Sequence, residues 1–170
     1  MDEILTSLTA PITTFFSVKN LPQLLFFIIG TVLFSFSIKM QQEYSKNDYC
    51  TNERLITANR WLLTIGATVM AMSLSHALMN TNYDAKHPAD WNEKRYTEQL
   101  ILFFLGIMTI QLSWQCIAGA DSACKAQKTI ADDCSDKPCS GATKPAWITL
   151  GCGVALSLWG FISIIQKIRQ

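Results

Sequence analysis

Six cysteines are the residues of this chain best suited to covalent or metal chemistry. Cys124, Cys134 and Cys139 lie in the stretch CKAQKTIADDCSDKPC, and Cys50 lies in an earlier polar segment. Such cysteines could form disulfides, bind zinc or exchange thiols with a redox partner. Disulfides persist in oxidising compartments, whereas zinc is bound by free thiolates, so the compartment that these segments face decides the chemistry.

Four apolar segments flank the polar ones and predict an integral membrane protein. Residues 21–38, 61–79, 100–118 and 146–165 are each 18–20 residues long and contain no Asp, Glu, Lys or Arg. A helix needs about 20 residues to cross the bilayer core, and a soluble bundle would show a polar helix face. We therefore predict an all-α fold, a single domain over residues 1–170 that forms an antiparallel four-helix membrane bundle.

Polar residues ahead of two spans predict where their helices begin. Asp90 and Glu93 have the spacing of a capping box, so we expect the third helix to begin near Trp91. Thr51 or Asn52 is expected to cap the second helix.

An even number of spans places both termini and the 80–99 loop on one side of the membrane, which we call side A. The 39–60 and 119–145 loops then share the opposite side, side B. Lys and Arg are spread nearly evenly over the two sides, so the positive-inside rule assigns no orientation. Asp2 and Glu3 stand where a signal peptide would be basic, so we expect no cleaved signal.

The third loop is the predicted polar cap of the bundle. It covers residues 119–145, a stretch of 27 residues, and Pro145 is expected at the start of the fourth helix. This loop has too few apolar residues to form a core of its own. Disulfides, each contributing about 2–4 kcal/mol, would stabilise it.

Four cysteines share side B: Cys50, Cys124, Cys134 and Cys139. Four cysteines allow two disulfides in three connectivities. A turn containing Pro138 favours the Cys134–Cys139 pair, which leaves Cys50 to join Cys124. A zinc site, a redox pair and unpaired thiols remain alternatives, although the chain contains no C-x-x-C. We favour the disulfides and expect no metal and no cofactor.

Cys116 and Cys152 lie in spans and are expected to be free, and His76, Gln111 and Gln115 lie in spans too. An ionisable group in a span, here His76, is a functional hypothesis by default. It has no acidic partner in any span, so a hydrogen bond to a neighbouring helix or extension to the membrane surface is favoured. Gln111 and Gln115 are expected to form hydrogen bonds across helices.

Small residues recur every four positions in the second and fourth spans: Ala67, Ala71 and Ser75, and then Thr149, Gly153 and Ser157. Such stripes let helix backbones approach closely in lipid. They could close the bundle or dock a neighbouring subunit.

Motifs of catalysis and nucleic-acid binding are absent from the sequence. It contains no Gly-rich phosphate loop, H-E-x-x-H, G-x-S-x-G or pair of carboxylates in a span. The formal net charge is +1 and no loop carries a basic run, which argues against nucleic-acid binding. We expect a non-enzymatic structural protein whose partners are the lipid bilayer and other protein subunits.

The layout resembles the small four-span membrane and minor capsid proteins of large icosahedral DNA viruses. The shared features are the acidic start at Asp2 and Glu3, four closely spaced spans, cysteine-bearing loops and no N-x-S/T sequon. The resemblance implies a multi-pass protein of a virion internal membrane that links this membrane to the capsid. An accessory subunit of an organellar electron-transport complex has the same outline. A four-span thiol oxidoreductase and a small channel or transporter are further alternatives.

Overall fold

The computed structural model describes residues 21–46, 53–83, 91–128 and 140–168. They form four α-helices: α1 (Leu21–Lys46), α2 (Glu53–Tyr83), α3 (Trp91–Lys128) and α4 (Ser140–Ile168). Each helix contains a stretch long and apolar enough to cross a membrane. The predicted all-α fold is confirmed for this part of the chain, and a multi-pass membrane protein is consistent with it.

Two helix starts agree with the capping signals. The third helix begins at Trp91 and the second at Glu53, directly after Asn52. The helices extend further on side B than the predicted spans, because α1 continues to Lys46 and α3 to Lys128. Hydropathy shows which part of a helix is apolar, but it does not show where the helix ends. The Ala, Lys and Gln residues after the third span have high helix propensity, so α3 continues through them. The predicted extent of the 119–145 loop is therefore wrong.

The position predicted for Pro145 is also wrong. The fourth helix begins at Ser140, so Pro145 lies inside it and not at its start. A proline leaves the carbonyl four residues earlier, here that of Gly141, without its helical N–H partner. The polar run that precedes the span is thus part of the helix, and Pro145 itself is buried in the bundle.

The bundle consists of two helical hairpins that dock on each other. Contacts are most extensive between α3 and α4 and between α1 and α2, and less so between α1 and α4 and between α2 and α3. We call α1–α2 the N-terminal hairpin and α3–α4 the C-terminal hairpin.

Glycines bring the helix backbones together within each hairpin. A Cβ atom added at Gly66 would lie 2.8 Å from the backbone nitrogen of Phe34, and one at Gly30 would lie 2.9 Å from that of Met70. A Cβ atom at Gly106 would likewise meet the backbone nitrogen of Ser157. Because backbone atoms cannot move aside as a side-chain end can, only glycine fits such contacts.

The buried side chains form two clusters along the bundle axis. The side B cluster contains Met40, Tyr44, Ala58, Leu62, Cys116, Ile117, Ala120, Ala142 and Ala146. The cluster towards side A contains Leu33, Ile65, Val69, Leu102 and Leu156. Alanines are frequent in the side B cluster, so the helices can approach closely at that end.

Candidate functional site

A cavity of about 290 Å³ lies at the side A end of the bundle, and all four helices line it. The N-terminal hairpin contributes Gln23, Phe26 and His76, and the C-terminal hairpin contributes Gln99 and Trp159. Its volume lies at the lower end of the range of about 300–1,000 Å³ found for small-molecule sites. We call it the side A cavity. Polar side chains of both hairpins converge in it.

Two amide oxygens in the cavity wall have no hydrogen-bond donor within the described residues: Gln23 Oε1 and Gln99 Oε1, both buried. Leaving such a group without a hydrogen bond costs about 1–3 kcal/mol. A molecule that donates hydrogen bonds to these oxygens would remove this cost.

The apolar part of the cavity wall joins the two hairpins. The rings of Phe26 and Trp159 meet edge to face, with centroids 5.9 Å apart and an interplanar angle of 88°. Such a geometry is favourable for aromatic pairs. Leu102, which is 8% exposed, and Met72 extend this surface. The cavity therefore has an apolar wall and several polar groups.

His76 is half-buried in this wall, and both of its ring nitrogens are shielded from solvent. The ring is turned into the bundle, so it does not extend outward to the membrane surface. The predicted hydrogen bond from His76 to a neighbouring helix stays a prediction. Sequence reasoning identified His76 but missed Gln23 and Gln99, which no motif marks.

A second space, an open groove of about 890 Å³, lies between α2 and α3 towards side B. Its walls include Thr57 and Trp61 of α2 and Gln115, Ala118 and Ser122 of α3. Trp61 is 54% exposed, although it lies in a predicted span. We call this space the α2–α3 groove.

The prediction that Gln111 and Gln115 bond across helices is wrong within the described chain, since both side chains are exposed. The buried face of α3 carries Thr109, Ser113 and Cys116 instead. Gln111 lies one helical turn before Gln115, so both amides are on the outward side of α3. One of them is in the groove wall.

The stripe of the fourth span, Thr149, Gly153 and Ser157, is buried against α3. Ser113 donates a hydrogen bond to Thr149 Oγ1 at 2.9 Å, because the Thr149 hydroxyl itself donates to the Ala146 carbonyl. A Cβ atom at Gly153 would lie 2.9 Å from the backbone nitrogen of Ile110. This stripe therefore closes the C-terminal hairpin.

The stripe of the second span, in contrast, is not buried against a neighbouring helix along its whole length. Ala67 is half-buried, and Ala71 and Ser75 are exposed. Within the N-terminal hairpin the close contact is made by Gly30 and Gly66, which sequence reasoning missed. A signal was present, since both are glycines inside apolar spans. Ala71 and Ser75 therefore do not close the bundle, and docking to a neighbouring subunit through them stays a prediction.

The two cysteines in the spans are free thiols, as expected. Cys116 is buried in the same cluster as Tyr44, and Cys152 is half-buried. Cys124 lies on the last turns of α3. The other three predicted disulfide residues lie outside the described residues: Cys50, Cys134 and Cys139. The disulfides therefore stay a prediction.

Within the described ranges, no three His, Cys, Asp or Glu side chains are placed to hold a metal ion. Comparison of the chain with known protein families, curated proteins and solved structures finds no match. The side A cavity and the α2–α3 groove are two places where the described structure leaves room for another molecule.

Proposed function

We propose that this chain is a non-enzymatic structural membrane protein, a subunit of a larger assembly that docks on its neighbour through the α2–α3 groove. The observation that supports this most strongly is that the amides of Gln111 and Gln115 are exposed on the outward side of α3, the second of them in the groove wall. Side chains facing hydrocarbon are expected to be apolar, and an exposed amide at that depth is costly.

The exposed side chains near the groove differ from those on the outer face of α4. Gln111 is exposed and lies near the middle of the apolar interval Gln99–Ala120 of α3. The outer face of α4, in contrast, exposes large apolar side chains: Trp147, Ile148, Leu158, Trp159, Phe161, Ile162 and Ile165. The mean hydropathy of the candidate span in α2 is 1.2, against 2.0 for α4. The α4 face suits lipid, and the groove suits another protein.

Hydroxyl groups on the outer face of α2 do not need a hydrogen-bond partner from another subunit, because they bond within their own helix. Thr64 Oγ1 donates to the Arg60 carbonyl at 3.0 Å, and Thr68 Oγ1 donates to the Thr64 carbonyl at 2.8 Å. The amides of Gln111 and Gln115 can form more hydrogen bonds than a hydroxyl, since each carries two donors and an acceptor. They are the groups that a neighbouring helix would satisfy.

The occupant that fits the groove is a membrane-spanning helix of a neighbouring subunit. Ala118, which is small and exposed, leaves room for its backbone, and a polar side chain at the depth of Gln111 or Gln115 would bond to these amides. Interhelical hydrogen bonds of this kind contribute about 0.6–2 kcal/mol each in membranes.

The resemblance in layout favours a virion internal membrane as the setting, with the subunit linking this membrane to the capsid. In that arrangement the cysteine-bearing segments on side B or the polar segments on side A would contact the shell. An accessory subunit of an organellar electron-transport complex would use the same groove. The proteins that copurify with the chain distinguish the two settings: capsid proteins for the first and respiratory or photosynthetic subunits for the second.

The test is purification of the tagged chain in mild detergent, followed by identification of copurifying proteins. Gln115→Leu and Ala118→Leu change the groove wall and should reduce recovery of the partner several-fold. Ala155→Leu is the matched control, because Ala155 is an exposed alanine on the outer face of α4. Equal recovery of the partner with all three variants would overturn docking at the groove. Recovery of this chain alone, as a dimer that the groove variants dissociate, would identify the neighbour as a second copy.

A further inference from the structure

The side A cavity differs from an ordinary packing defect. Empty cavities in proteins are apolar, whereas cavities with polar walls hold water or a ligand. Here Gln23 Oε1 and Gln99 Oε1 are buried and have no hydrogen-bond donor within the described residues. They belong to different hairpins, so docking of the hairpins creates a polar space that neither forms alone.

The charge of the cavity wall restricts the ligand. The lining contains no Asp, Glu, Lys or Arg among the described residues. The lining therefore offers no carboxylate, ammonium or guanidinium group to compensate a charged ligand, and burial of an uncompensated charge is strongly unfavourable. The cavity therefore suits a neutral molecule, and its volume of about 290 Å³ suits a compact one.

The hydrogen-bonding groups indicate which polar group this molecule carries. The Ser73 hydroxyl, also in the wall, donates to the Val69 carbonyl at 2.7 Å, so its hydrogen is not available to a ligand. Gln23 Oε1 and Gln99 Oε1, which have no hydrogen-bond donor within the described residues, are both acceptors. A hydroxyl group can donate to one of them and accept from other polar groups in the wall.

The remaining wall suits an apolar body next to this hydroxyl. Phe26 and Trp159 present ring surfaces, and Met72 adds a side chain that adapts to irregular shapes. A ring lying against this surface would bury apolar area while its hydroxyl reaches the amides.

We propose that the side A cavity binds a neutral, lipid-soluble molecule with a hydroxyl group on an apolar ring. Its hydroxyl donates to Gln23 or Gln99, and its ring contacts Phe26 and Trp159. The site is independent of the α2–α3 groove, which lies towards the other end of the bundle and shares no residue with it.

Two small probes that differ in one hydrogen-bond donor test the proposal. They are a diazirine-bearing 4-alkylphenol and its methyl ether, added to the purified full-length chain in nanodiscs. The phenol should raise the Tm and, after irradiation, label the peptides that contain Gln23 and Trp159. The methyl ether cannot donate, so its apparent affinity should be about tenfold weaker.

Variants assign the effect to the cavity. Gln23→Leu and Gln99→Leu remove the acceptors and keep an apolar side chain of similar size, so each should reduce phenol labelling towards the level of the ether. Gln41→Leu is the matched control, since Gln41 is exposed on α1 towards side B. The Tm of each variant without probe establishes that it is folded. Equal labelling by both probes, or labelling of both cavity variants equal to that of Gln41→Leu, would overturn the proposal and leave a water-filled cavity.

Discussion

Contacts within the hairpins and contacts between them are of different kinds. Within each hairpin, backbone meets backbone at glycines such as Gly66 and Gly106. Buried hydrogen bonds add to this, as where Asn59 Nδ2 donates to the Ser37 carbonyl at 3.0 Å. Between the hairpins the contacts involve side-chain ends, as where Leu55 lies over Gly119 and Phe26 meets Trp159.

The α2–α3 groove and the side A cavity both lie where the two hairpins meet. The α2–α3 groove separates one helix of each hairpin, and the side A cavity is lined by both. Helices in lipid associate through close packing and hydrogen bonds without a hydrophobic drive. The two hairpins are therefore the strongly packed units, and the surface between them is where this protein can accommodate other molecules.

The largest effect is expected for Gly153→Leu, within the C-terminal hairpin. A leucine there would collide with backbone atoms of α3, since even its Cβ would lie 2.9 Å from the Ile110 nitrogen. Overpacking of a tight contact by extra methylenes costs about 1–3 kcal/mol and occasionally more, and a whole leucine side chain whose first atom already meets backbone should exceed that range. We expect a large loss of thermal stability in detergent and poor assembly. An unchanged Tm would show that this stripe does not close the hairpin.

The second-largest loss of stability is expected when a disulfide between the hairpins is removed. The predicted Cys50–Cys124 bond would join the segment after α1 to the end of α3, and so link the two hairpins covalently. A disulfide contributes about 2–4 kcal/mol, so reduction or Cys50→Ser should lower the free energy of unfolding by this order.

Labelling with an alkylating agent measures the same bond directly. Intact mass without reductant should show two labelled cysteines, Cys116 and Cys152, and a chelator should change nothing. Six labelled cysteines would instead place side B in a reducing compartment. Metal release on chelation would indicate a zinc site, and a pair reduced and reoxidised with quinone would indicate a redox enzyme.

Gly66→Ala addresses the N-terminal hairpin with the smallest possible change. The added Cβ would lie 2.8 Å from the Phe34 nitrogen and 3.1 Å from the Gly30 carbonyl oxygen, both backbone atoms. We expect a cost of about 1–3 kcal/mol, read as a lower Tm or as unfolding at lower denaturant concentration. A stability equal to that of the parent chain would mean that the two backbones are further apart than the structure places them.

Hydropathy was sufficient to predict the helices but not how they are rotated. Four uncharged segments of membrane length predict four helices, and the capping residues before Glu53 and Trp91 predict two helix starts. Where apolar residues surround a helix, the sequence does not indicate which face is buried. This explains why Gln111 and Gln115 were predicted to bond across helices, although their side of α3 faces outward.

The side A cavity could not be predicted from the sequence, for a different reason. Gln23, His76 and Gln99 are far apart in the sequence and converge only after both hairpins have formed and docked. No local spacing predicts such a set. The glycine contacts were partly predictable, because a stripe containing Gly153 was recognised, whereas Gly66 and Gly106 are single glycines in apolar spans.

The smallest effect is expected for Gly119→Ala, at the contact between the hairpins. The added Cβ would meet the end of the Leu55 side chain, which can change rotamer, so we expect a loss below about 1 kcal/mol. Gly151→Ala is the matched control in α4, because no heavy atom lies within 4 Å of its added Cβ, and alanine favours helix by up to about 1 kcal/mol. Melting curves of the three Gly→Ala variants should therefore rank Gly66 lowest, then Gly119, then Gly151. If Gly119→Ala destabilised the bundle as much as Gly66→Ala, the hairpins would be joined as rigidly as the helices within them, and the difference between the two kinds of contact would disappear.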